Sequence, residues 1–65
     1  MKSNLQDIEV IFQHATERAV CVRADEDSDD TWIPLSQCEI DGDRVRGGII
    51  TLTAPQSILE ERGLV

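Results

Sequence analysis

Residues 25–30, DEDSDD, cannot belong to any folded interior. Five of the six side chains are carboxylates, and an unpaired buried charge costs far more than a chain of this size can offset. The segment must sit in water. It is flanked by AVCVRA (residues 19–24) and TWIPL (residues 31–35), short runs rich in β-branched and aromatic residues that favour strands. Two strand-like runs around a segment that cannot be buried imply a β-hairpin with a charged tip. Pro34 has no backbone donor and belongs on a sheet edge or at a strand end.

The other segments extend this pattern. Residues 5–13, LQDIEVIFQ, alternate with Ile8, Val10 and Phe12 on one side and Asp7, Glu9, Ile11 and Gln13 on the other, the period-two signature of a half-buried strand. Residues 14–18 break the alternation and imply a turn, which places His14 beside Glu17 and Arg18. Ser36 and Gln37 suit a tight turn before a short strand over residues 38–40. Asp41-Gly42 is a hairpin signal, and its partner strand is expected over residues 43–46, pausing at Gly47-Gly48 and resuming over residues 49–52. A double glycine in strand-like sequence marks a bulge or bend.

The period changes near the C-terminus. Thr53 and Gln56 have the spacing of a capping box, Pro55 is tolerated in a first turn, and Gly63 supplies a stop. A short helix is expected over residues 54–62, with Ile58 and Leu59 facing inward and Leu64 and Val65 folding back. Residues 1–4 read as a flexible start. The expected fold is α+β: one domain with a small, strongly curved antiparallel sheet, as an SH3-like barrel or a five-strand meander, and a short C-terminal helix.

Sixty-five residues hold one core and no second domain. Phe12 and Trp32 are the only aromatics, so aliphatic residues must fill most of that core, and Trp32 is expected inside it. A monomer or a homodimer sharing its core would meet this need. Thirteen acids against six bases give a net charge of −7. Such a field repels nucleic acid and membranes of like charge and attracts basic protein surfaces. No run approaches the roughly 20 apolar residues of a membrane span, and the first ten residues lack the apolar core of a signal peptide. The expected location is the cytoplasm of a bacterial host cell, with Cys21 and Cys38 reduced.

Catalytic patterns are missing. His14 has no nucleophile at a recognisable spacing, and none of Ser3, Ser28, Ser36 and Ser57 lies in a Gly-x-Ser-x-Gly elbow. Asp25, Asp27 and Asp29 copy the first three ligand positions of a calcium loop, but Asp30 stands where the turn glycine belongs and Ser36 where the bidentate glutamate belongs. Two cysteines and one histidine, widely spaced, do not form a zinc set. Gly42, Gly47 and Gly48 form neither a Walker nor a dinucleotide-binding pattern. No cofactor or metal is expected. Arg44 and Arg46, two apart on the expected strand, would share a face and pair with acids. Their other uses would be to pin one phosphate or, as Arg23, Arg44 or Arg46 at an oligomer interface, to hold a small anionic nucleotide, which the negative field disfavours.

The acidic run remains the sharpest feature. Extended at about 3.3 Å per residue, it carries one charge per roughly 4 Å, close to the one per ~3.4 Å of axis along a DNA strand. The candidate partner-binding residues are therefore Asp25, Glu26, Asp27, Asp29 and Asp30, joined by Glu39, Asp41 and Asp43 around the neighbouring turn.

Glu17, the strand-like run of residues 19–24, and Trp32, Ile33, Pro34, Ser36 and Gln37, followed at the end by Gly63 and Leu64, resemble a small β domain common in phage proteins that carries a Trp-Ile-Pro-x-Ser-Gln turn. Cys38 stands where that pattern has an aliphatic residue. In size, charge and setting the chain also resembles the anti-CRISPR proteins as a class, without a diagnostic motif. The resemblance implies a non-catalytic DNA mimic acting on a basic surface, such as a subunit of a CRISPR surveillance complex. The alternative is an accessory module of a phage nucleic-acid-processing protein, docking through Trp32 and Pro34.

Overall fold

The computed structural model describes residues 5–64; the start expected for residues 1–4, and Val65, lie outside them. Among the described residues, five strands and one helix follow in the order β1 (Leu5–Ala15), β2 (Ala19–Arg23), β3 (Thr31–Pro34), β4 (Glu39–Asp41), β5 (Ile49–Pro55) and α1 (Gln56–Glu61), with a 3-10 turn at Leu35–Gln37 between β3 and β4. The sheet order is β3-β2-β1-β5-β4, and all four pairings are antiparallel. The fold is thus α+β with one open sheet, whose edges are β3 and β4.

Alternation along the strands sorts the side chains. Val10 opposite Ile50, Phe12 opposite Val22, and Val20 opposite Ile33 all point to one face. They are buried there with Leu52, Ala54 and Leu59. The helix covers this inner face because Leu59 is fully buried against it. Six residues are too few for a stable helix in isolation, so its core contact holds it in place. Its C-terminus closes as a Schellman motif: the Leu64 N–H donates to the Leu59 carbonyl at 2.8 Å and the Gly63 N–H to the Glu60 carbonyl at 3.1 Å. Gly63 has φ +73°, as that motif requires, so the expected stop is found.

The helix start differs from expectation. Thr53, Ala54 and Pro55 belong to β5, and α1 begins at Gln56 with no side-chain cap. The Thr53 hydroxyl instead donates to Asp7 Oδ1 at 2.6 Å, because pairing β5 with β1 sets Thr53 opposite Asp7.

Two further expectations are corrected. Residues 43–46 form no strand, so Arg44 and Arg46 are exposed loop residues and do not share a strand face. The double glycine explains this. The Gly47 N–H donates to the Phe12 carbonyl at 2.8 Å and the Phe12 N–H to the Gly48 carbonyl at 2.9 Å, so β1 captures the residues that would have continued a hairpin from Asp41-Gly42. Gly47 has φ +85°, a region that L side chains rarely adopt. Strand β1 also runs past the expected turn to Ala15, with its register against β2 shifting between Phe12 and His14. The additional residue there, Gln13, is a β-bulge. It returns Ala15 to the inner face and places His14 on a strand.

Candidate outer-face interface

The face of the sheet opposite α1 carries the side chains that alternate with the core, and the register aligns them in rows. Trp32 on β3 pairs with Cys21 on β2, which pairs with His14 on β1. Arg23 pairs with Ile11, and Ile11 with Ile49 on β5. Glu9 pairs with Thr51, and Thr51 with Asp41 on β4. Asp7 pairs with Thr53, and Thr53 with Glu39. Adjacent rows lie two residues apart along a strand, about 6.7 Å, and neighbouring strands about 4.8 Å.

Trp32 is 45% exposed, which corrects its placement in the core. Ile33 takes the inward position opposite Val20, so alternation turns Trp32 out. Its ring meets that of His14 edge-on, with centroids 6.1 Å apart, and the pair flanks the buried Cys21 thiol. Burial raises the pKa of Cys21, and Asp30 raises it further, against the opposing pull of Arg23 and Arg46. Burial likewise raises that of Cys38, whose thiol lies 3.4 Å from the Pro34 carbonyl. Both cysteines are free, and the raised values favour the neutral thiol.

The acidic residues named from sequence fall into separate groups. Asp25, Glu26, Asp27, Asp29 and Asp30 form the exposed tip of the β2–β3 hairpin. Asp25 is occupied locally: its Oδ1 accepts from the Asp27 N–H and the Ser28 hydroxyl, each at 2.9 Å, which closes an Asx-type turn. Asp30 is occupied by Arg23, whose Nη2 and Nε lie 2.7 and 2.8 Å from its Oδ1. Glu26, Asp27 and Asp29 keep their carboxylates uncommitted among the described residues. Glu39 and Asp41 lie on the other sheet edge, three strand spacings or about 14 Å from β2, and Asp43 lies in the loop beyond. The structure brings Glu39 and Asp41 together instead with Asp7 and Glu9, which the sequence placed on an exposed face without marking them as a site.

Among the described residues, no three His, Cys, Asp or Glu side chains gather as a metal set, and no helix is long and apolar enough to cross a membrane. No protein-family model, curated protein or solved structure matches the chain.

Proposed function

We propose that the protein is a non-catalytic acidic binding protein that docks on a lysine- and arginine-lined, nucleic-acid-binding surface of another protein. In the setting that its phage-like sequence features imply, that partner is a subunit of a host defence complex and binding inhibits it. The observation that carries this reading is the uncovered outer face, where Asp7, Glu9, Glu39 and Asp41 stand in two parallel rows. Glu26, Asp27 and Asp29 at the hairpin tip add uncommitted charge. We read the strand order as a small, strongly curved barrel left open between β3 and β4, with this face on its outside. Electrostatic attraction makes association fast and salt-sensitive.

A second reading, an accessory module docking through Trp32 and Pro34, is favoured by the exposure of Trp32. Both are tested by capturing partners from a bacterial host lysate at low and high salt. The variants are E26K/D27K/D29K, E9K/E39K/D41K and W32A. The first reading expects capture to fall in high salt and with either charge reversal, and expects the captured protein to lose nucleic-acid binding when the wild-type chain is added. Capture insensitive to salt and to both reversals, but lost in W32A, would replace it with the second.

A further inference from the structure

On the outer face of β5, Ile49, Thr51 and Thr53 follow one another at alternate positions, and each has a different setting. Ile49 is 62% exposed and sits beside Ile11, with the exposed loop residue Val45 nearby in sequence. Thr51 has Glu9 on one side and Asp41 on the other. Thr53 has Glu39 on one side and on the other Asp7, whose Oδ1 accepts the Thr53 hydroxyl at 2.6 Å and which keeps its negative charge. A cation seated over either threonine would therefore have a carboxylate one strand spacing away on each side, at about 4.8 Å. The Ile49 row ends differently: its charged member, Arg23, is already neutralised by Asp30. That end suits an uncharged side chain, and the next two rows suit positive ones.

We propose that this face binds an extended segment of a partner protein in which an apolar side chain is followed, at alternate positions, by two cationic ones. The inference rests on the basic-partner reading above and adds the pattern that is recognised. An extended segment lying along β5 presents every second side chain downward at the same rise as the strand beneath it, about 6.7 Å per two residues. Its apolar residue then meets Ile49 and Ile11, and its cations meet the Glu9–Thr51–Asp41 and Asp7–Thr53–Glu39 rows in step. A nucleic acid is excluded as occupant by the like charge of those rows.

Two capped pentapeptides of identical composition test this. One reads leucine, serine, arginine, serine, arginine. The other reads leucine, arginine, serine, arginine, serine, which keeps the arginine spacing but turns the leucine to the opposite face of an extended chain. The readout is the shift of backbone amide NMR signals during titration of the intact protein. The first peptide is expected to bind roughly fivefold tighter, the effect of covering about half a leucine side chain, and to move the signals of Ile11, Ile49, Thr51 and Thr53. I49S should erase the difference between the peptides, and E9Q/E39Q should weaken both. Equal, salt-sensitive binding of the two peptides overturns the proposed pattern and leaves the basic-partner reading standing. Absence of binding by both overturns the pattern and the reading together.

Discussion

Replacing Leu59 by alanine tests whether the helix that leaves the outer face bare is anchored as described. Leu59 is fully buried against the inner face, in a cluster with Val10, Val20, Ile33 and Leu52. A helix of six residues has almost no stability of its own, so the loss falls on the shared core. Truncating a buried leucine costs about 3 kcal/mol, within a range of roughly 2 to 5. A chain of 65 residues is stable by only about 3–10 kcal/mol in total. L59A should therefore remove at least about 30% of the stability. At about 4–8 °C per kcal/mol for a domain of this size, the melting temperature should fall by roughly 12–24 °C. Circular dichroism melts and urea unfolding measure this, with E60A, an exposed position on the same helix, as the control expected to stay within about 0.5 kcal/mol. A loss below about 1 kcal/mol in L59A, or an equal loss in E60A, would show that the helix does not seal the core through Leu59.

Two further outcomes follow from the charged and thiol groups. Because burial raises both thiol pKa values, with Asp30 adding to the rise at Cys21, the neutral thiols stabilise the fold. That stability is present below the usual thiol range and is lost as pH rises through the folded-state values; alkylation followed by mass spectrometry should begin at higher pH than in the unfolded chain, and D30N should lower the onset at Cys21 but not at Cys38. The Arg23–Asp30 pair is partly solvated, with side chains 30% and 44% exposed, so D30N should cost under about 1 kcal/mol while amide exchange at residues 25–30 quickens. An unchanged exchange rate would mean that the bridge does not hold the tip.

The sequence made the hairpin legible because its signals are local. Unburiable aspartates fix the tip, a proline marks the edge, and alternation over residues 5–13 marks the faces of β1. The glycine after the last turn of the helix was equally plain. What escaped depends on partners far away in the chain. Thr53 looks like a cap until Asp7, 46 residues earlier, claims its hydroxyl. Residues 43–46 alternate like a strand, yet the backbone groups of Gly47 and Gly48 answer to Phe12. Trp32 reads as core material until Ile33 is seen to hold the inward position. The carboxylate rows escaped for the same reason: Glu9 and Asp41 become neighbours only when β5 slides between β1 and β4.

Both free edges of the sheet are short, and their composition matters for life at high concentration. Pro34 cannot donate to an added strand on the β3 side. On the β4 side, Glu39 and Asp41 set like charges against any identical edge that approaches. Stacking into fibres is therefore opposed in two ways, by a missing donor at the β3 edge and by like charge at the β4 edge. The edge is thus guarded against its own kind by two side chains that also supply half of the four carboxylates flanking Thr51 and Thr53 on the outer face.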